Sequence, residues 1–246
     1  MTSPRRGNLR IGTSGYQYDH WRDNFYPPDL PKTQWFEHYA SVFDTVEING
    51  TFYSLPDPEV FDSWREEAPE GFLHTLKFSR YGSHIKRLKD GSQVIDNFVE
   101  RAERLADHLG PVLVQLPPNW KPNLERLEEF LGAARQRDIR WAVEFRDPRW
   151  LCPGVFDLLR QNGAALVVHD LIEDHPREIT ADWVYVRCHG WDYAGCYSDK
   201  QLDELADWIA RRLGDGLDAY VYFNNDAEGF APQNALDLRG KVHERL

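Results

Sequence analysis

Acidic and imidazole side chains stand near the ends of several apolar runs in this sequence. Carboxylates and imidazoles so placed can transfer protons, or can hold a divalent metal ion that lowers the pKa of bound water to about 7. A divalent metal is therefore a candidate cofactor, although cations are interleaved with the candidate ligands and would repel it. The candidates for catalytic or metal-binding roles are Glu47, Glu144, His169, His189 and Asp226.

A second set of polar residues is suited to binding an anion. Between Lys77 and Lys89 the chain carries five cations and His84 but no acidic residue, whereas the whole chain has a net charge of −11. Such a segment is typical of a phosphate or carboxylate site, and a solvated loop with clustered charges is the alternative. The predicted ligand-binding residues are Asn49, Lys77, His84, Arg87, Gln115, Arg146, Arg187, Asn224 and Asn225.

The elements that position these residues follow an alternating pattern. Short β-branched runs alternate with segments of helical periodicity, which predicts a parallel sheet with crossover helices. Eight runs in 246 residues predict an α/β fold with a single TIM-like (β/α)8 barrel as one domain over 1–246, with 1–8 as a flexible tail. Residues 171–182 lack a helical stripe and predict a loop between strands six and seven. The runs are 9–16, 45–53, 73–80, 111–118, 140–147, 164–170, 183–190 and 219–226.

The helical segments are marked by apolar spacing and by their end residues. The periodicity predicts helices over 35–43 and 61–68, and a longer one over 94–109 that ends at Gly110. It also predicts a short last helix over 231–238.

Alternation along each strand predicts that the polar candidates share one face near the carboxyl end, where barrel enzymes place their active sites. The alternative is a structural network, because buried charges must be paired. The residues that could neutralise one another in this way are Glu47, Lys77, Glu144, Arg146 and Arg187.

Composition excludes several classes of protein. With 41% hydrophobic residues the chain can bury a core, and its acidic balance argues against a broad nucleic-acid or membrane surface. Three cysteines without Cys-x-x-Cys spacing argue against a disulfide framework or structural zinc. No apolar stretch approaches ~20 residues, so we expect no membrane segment and a cytoplasmic location.

Short motifs recur along nearly the whole chain, at 12–16 (GTSGY), 25–27 (FYP), 45–49 (TVEIN), 115–118 (QLPP), 142–146 (AVEFR), 185–187 (YVR) and 222–225 (YFNN). In these motifs the chain resembles the YecE-like family, also called domain of unknown function family 72. Tyr16 stands where the family pattern usually has a Trp. The resemblance implies a TIM-barrel-like fold and supplies no reaction, substrate or cofactor.

Three functions are consistent with these residues. The first is a hydrolase of a phosphoester or phosphodiester, metal-assisted, whose partner is a phosphate-containing small molecule or a nucleic-acid fragment. The second is metal-free acid–base chemistry on a sugar-like substrate, with Glu47 and Glu144 as acid and base. The third is a non-catalytic receptor for a phosphorylated small molecule. A mixed set of acids, bases and cations favours an enzyme, with a hydrolase first.

Overall fold

The structure is a computed structural model that describes residues 5–190 and 195–246. Eight parallel strands form one sheet in the order β1-β8-β7-β6-β5-β4-β3-β2. With helices between the strands, this is the predicted TIM-like (β/α)8 barrel. The strands are β1 (Leu9–Thr13), β2 (Thr45–Ile48), β3 (Leu73–Lys77), β4 (Leu109–Gln115), β5 (Trp141–Glu144), β6 (Ala165–His169), β7 (Trp183–Cys188) and β8 (Asp218–Phe223).

Eight α-helical segments are described, and local sequence signals set several of their starts. Asn123 caps one helix by accepting from the backbone N–H of Arg126, and Ser198 and Gln201 form a capping box at another. The segments are α1 (Trp35–Val42), α2 (Gly50–Tyr53), α3 (Pro58–Glu67), α4 (Gly91–Ala102), α5 (Leu124–Ala134), α6 (Pro153–Asn162), α7 (Asp199–Gly214) and α8 (Phe230–His243).

The strands end earlier than the apolar runs suggested, and the second run is the clearest correction. Residues 49–53 were expected to continue the strand, but β2 ends at Ile48 and α2 follows as one helical turn. The hydroxyl of Thr51 donates to the carbonyl of Lys77 at 2.8 Å, which fixes this turn against the end of β3. Side-chain anchoring of the backbone has therefore overridden the local β propensity.

Two helix predictions were also wrong in their bounds. The long helix ends at Ala102 and gives way to a 3-10 segment, Glu103–His108, in which Ala106 has a φ of 48°. Gly110 lies inside β4, where a Cβ would come within 2.8 Å of Thr75 Oγ1, so a close strand approach requires this glycine. The last helix extends to His243 rather than 238.

The predicted loop between β6 and β7 is confirmed, since residues 170–182 contain no helix. Thr180 anchors this loop by accepting from the backbone N–H of Leu166 and donating to the carbonyl of Ala164, both at 2.8 Å. Arg160 of α6 also binds the loop through Glu178 and the carbonyl of Ile179.

The chain divides into two compact units. Unit 1 comprises Met1–Val46, His169–Leu171 and Asp182–Leu246, and unit 2 comprises Glu47–Val168 and Ile172–Ala181. The expectation of a single domain stays a prediction. Of the predicted flexible tail, residues 1–4 lie outside the described part of the chain, while the backbone N–H of Gly7 donates to the carbonyl of Leu213 at 2.9 Å.

Each unit has its own aromatic packing. In unit 1, Tyr26 stacks on Trp35 with ring centroids 4.5 Å apart and an interplanar angle of 5°. In unit 2, Phe78 packs edge-on against Phe98 and Phe130 at 5.1 and 5.4 Å. Such pairs contribute to stability beyond the burial of their area. Among the described helices, none is long and apolar enough to cross a membrane.

Candidate functional site

In unit 2 the polar candidates lie at the carboxyl ends of adjacent strands. Gln115 ends β4 and lies in register with Glu144, which ends β5, while Lys77 ends β3. Lys77 is 8% exposed and Glu144 is fully buried. The predicted alternation along these strands therefore places three polar groups at one sheet end.

Arg146 connects two of these strand ends. Its Nε donates to Glu144 Oε1, and its Nη2 donates to Gln115 Oε1 at 3.2 Å. The guanidinium is 13% exposed, so this ion pair is largely withdrawn from water. A buried carboxylate needs such a partner, and part of the predicted structural network is therefore present.

Lys77 and His84 both contact the ring of Phe52. The Nζ of Lys77 is 4.6 Å from the ring centroid of Phe52, and the imidazole of His84 meets the same ring edge-on at 5.0 Å. His84 belongs to a π-helical turn, Tyr81–Ile85, that follows β3. π-helical turns often occur at functional sites, and apolar periodicity does not reveal them.

The electrostatic environment of His84 is positive. Partial burial, followed by the charges of Lys77, Arg80 and Arg146, lowers the pKa of His84 from 6.5 to about 4. The imidazole is therefore neutral at pH 7 and is surrounded by cations. A site with this field favours an anion.

In unit 1 the polar groups form a buried cluster around His189. His189 is fully buried; its Nδ1 lies 3.1 Å from the side-chain amide of Asn224 and its Nε2 lies 3.5 Å from Arg187 Nη1. The ring of His169 meets it edge-on at 6.1 Å. The backbone N–H of Asn224 donates to the carbonyl of Cys188 at 2.7 Å and thereby aligns the ends of β7 and β8.

Asp170 has a role that the sequence analysis did not identify. Its carboxylate accepts from the backbone N–H groups of His189 and Gly190 at 3.0 and 3.1 Å, and from the hydroxyl of Tyr197. Burial, with the nearby Cys188 and Asp170, raises the pKa of the Tyr197 hydroxyl, which therefore keeps its proton. Asp170 thus fixes the end of β7, and its contacts, which lie 19 to 27 residues away in the chain, cannot be read from a local pattern.

The two other candidates after β8 contact different partners. Asp226 accepts from Trp21 Nε1 at 2.7 Å and lies 3.3 Å from His20 Nε2, and burial raises its pKa. Asn225 is fully buried and donates to the carbonyl of Gly195 and to Asn234 Oδ1. Both side chains hold loops of unit 1 in place.

The remaining sequence candidates lie in unit 2. Glu47 is fully buried in β2, and Asn49 is partly buried just after it. Arg87 is exposed and has a φ of 50°. Within the described ranges, no three His, Cys, Asp or Glu side chains converge in a group that could hold a metal ion. The predicted metal ligands are therefore not gathered into one described centre.

The comparisons with known proteins agree with the resemblance found in the sequence. Residues 10–246 match the family described as protein of unknown function DUF72. UPF0759 protein YecE of Escherichia coli K12 is 34% identical over 119 residues, which cover 48% of this chain and 43% of YecE. The matched part is therefore less than half of that relative.

Two further relatives match over nearly the full length. UPF0759 protein YunF of Bacillus subtilis is 24% identical over 94% of this chain and 93% of its own. The crystal structure of a DUF72 family protein from Thermotoga maritima has a TM-score of 0.84 and 28% identity, and covers 96% of this chain and 99% of that one. The chain belongs to the DUF72 family.

Proposed function

We propose that this protein is an enzyme that binds a phosphate-containing ligand at the carboxyl ends of β3, β4 and β5 and hydrolyses its phosphoester bond. One observation carries this proposal: the charges of Lys77, Arg80 and Arg146 all act on His84, and they add to the effect of burial in lowering its pKa to about 4. A cationic field at a strand end, within a chain of net charge −11, attracts and orients an anion.

Lys77 and Arg146 are mostly buried cations that suit the binding of a phosphoryl group. Lys77 is a compact point charge that can contact a phosphoryl oxygen directly, and Arg146, whose Nε and Nη2 bind Glu144 and Gln115, adds its charge beside it. Because both are mostly buried, their charges act in a medium of low dielectric and stabilise negative charge that develops in the transition state. Glu47 and Glu144 are the buried strand-end carboxylates of unit 2 that supply acid–base groups.

We propose the metal-free form of this chemistry, because the described side chains contain no group of three metal ligands and cations flank the carboxylates. Protein treated with a chelator should release phosphate from its substrate at the original rate. Loss of activity on chelation, with recovery on adding a divalent ion, would overturn this part of the proposal.

The experiment is a panel of phosphate monoesters and diesters, followed by calorimetric binding and by phosphate release. Lys77→Met should weaken binding by on the order of tenfold or more, and Arg80→Gln by roughly two- to fivefold, because Arg80 is exposed. Lys200→Gln is the control, since its side chain is 86% exposed on α7. Equal losses of affinity in all three variants would contradict a specific anion site at Lys77. Binding without phosphate release would show that the protein is a receptor and not a hydrolase.

A further inference from the structure

A cavity of about 330 Å³ lies in unit 2 beside the proposed anion site. Aromatic side chains and polar side chains of α4 both line it. Its volume lies within the range of small-molecule sites, which are typically about 300–1,000 Å³. Its lining includes Phe52, Tyr53, Tyr81, Gln93, Asn97 and Phe98.

Phe52 joins the cavity to the anion site. Its ring lines the cavity and also contacts Lys77, at 4.6 Å from Nζ, and His84, at 5.0 Å between ring centroids. A ligand that fills the cavity and carries a phosphate could therefore reach both regions. The shared ring makes the cavity a direct neighbour of the proposed anion site.

Two exposed tyrosines stand at the cavity. Tyr53 is 77% exposed and meets Phe52 nearly perpendicularly, at 87°. Tyr81 is 52% exposed and is backed by Lys86, whose Nζ lies 5.6 Å from its ring centroid. Large aromatic side chains that remain exposed next to a cavity provide flat surfaces on which a planar ring can stack.

The polar side of the cavity offers uncommitted hydrogen-bonding groups. Gln93 and Asn97 lie four residues apart on α4, so their side chains share one helix face. Neither amide bonds to another side chain or to backbone anywhere in ranges 5–190 and 195–246. Carboxamides both donate and accept, which suits the edge of a heteroaromatic base.

The backbone is strained in the segment that links the π-helical turn to α4. Between the π-helical turn and α4, the non-glycine residues Arg87, Leu88 and Asp90 have φ values of 50°, 64° and 54°. Leu88 is 1% exposed, so burial holds it in this unfavourable conformation. Strained residues cluster at ligand sites. The strain and the π-helical turn therefore point, independently of the charges, to the segment that borders the cavity.

We propose that the cavity binds the base of a nucleotide, with the phosphate of that nucleotide at the anion site of Lys77 and Arg146. The base stacks on Tyr53, the more exposed of the two tyrosines, and presents its polar edge to Gln93 and Asn97. This inference rests on the proposed function and names its substrate class.

The test compares adenosine 5′-monophosphate with ribose 5-phosphate, which lacks the base, by calorimetry. The nucleotide should bind about tenfold more tightly, the effect expected for one stacked base. Tyr53→Ala should reduce this ratio to about one, while Tyr53→Phe, which keeps the ring, should preserve it. The double variant Gln93→Ala, Asn97→Ala should reduce the ratio severalfold. All three residues are exposed, and unchanged melting temperatures verify that the variants fold.

The outcomes separate the two proposals. If ribose 5-phosphate binds and the nucleotide binds no more tightly, the base site is wrong and the anion site stands. A ratio that survives Tyr53→Ala and the double variant also overturns the base site. If neither phosphate ligand binds, the proposed function itself fails and the base site fails with it.

Discussion

The polar clusters of the two units differ in how their charges are balanced. In unit 1, the groups around His189 are bound to amides, to backbone N–H groups and to a tyrosine hydroxyl. In unit 2, burial and then the charges of three cations lower the pKa of His84 to about 4. The first cluster therefore fixes strand ends, and the second keeps a positive field beside a cavity.

This difference shows that a polar strand end is not by itself a ligand site. The sequence gives both units histidines, arginines and carboxylic acids in similar positions. Unit 2 differs in that the charges of Lys77, Arg80 and Arg146 all act on His84, which is partly exposed. A field attracts a ligand only if the ligand can approach it.

The largest expected effect concerns the ion pair of unit 2. Arg146→Met leaves the buried carboxylate of Glu144 without its guanidinium, and should lower the free energy of unfolding by about 3–5 kcal/mol. The double variant Glu144→Gln, Arg146→Met should recover most of this loss, because it also removes the carboxylate charge that the guanidinium balanced. Urea unfolding measures both, and a loss below about 1 kcal/mol in the single variant would contradict a buried pair.

His74 provides a reference histidine in unit 2, since burial lowers its pKa to about 4. Its folded pKa lies below the unfolded value of 6.5, so the unfolded chain binds more protons between these pH values. The contribution of His74 to stability should therefore be full above pH 6.5 and fall by about 3 kcal/mol as the pH approaches 4. His84, whose pKa is also lowered to about 4, adds a fall of its own in the same range. His74→Phe should flatten this dependence in pH-dependent urea unfolding, and an identical slope in both proteins would exclude His74 as its cause.

A smaller effect should separate the roles of the two clusters. Asp170→Ala removes the acceptor for His189, Gly190 and Tyr197 and should cost about 1–2 kcal/mol of stability, while leaving the binding of ribose 5-phosphate unchanged. Arg80→Gln should instead leave stability unchanged and weaken the binding of ribose 5-phosphate. Weaker ligand binding in Asp170→Ala, measured by calorimetry, would show that the unit 1 cluster is part of the ligand site.

The smallest expected effect tests the cationic field directly. Arg80→Gln should raise the pKa of His84 by roughly half a unit, because one cation has been removed. The pKa of His74 should not move, since none of the three cations contributes to its shift. Imidazole proton signals followed by NMR against pH measure both values. Equal shifts at both histidines would mean that the substitution acts through the fold.

The sequence predicted all eight strands, because β-branched runs with alternating polarity are dictated by the sheet itself. It also predicted that Lys77, Gln115, Glu144 and Arg146 share a strand end. It placed the end of β2 wrongly, because the turn at Gly50–Tyr53 depends on the long-range bond from Thr51 to Lys77.

The parts of the site that escaped prediction are those set by tertiary contacts. The π-helical turn after β3 has no periodicity of its own, and the cavity beside it arises from residues of four separate segments. The role of Asp170 depends on Tyr197, 27 residues away. Such contacts follow from packing and cannot be read from local patterns.

The proposed anion site is tested most directly by the pKa of His84, measured by NMR with and without saturating ribose 5-phosphate. An anion held by Lys77 and Arg146 would offset their charges, so the pKa should rise from about 4 towards its usual value. The rise should be absent in Lys77→Met at the same ligand concentration. Saturable binding that leaves the pKa of His84 unchanged would contradict an anion site at the ends of β3 to β5.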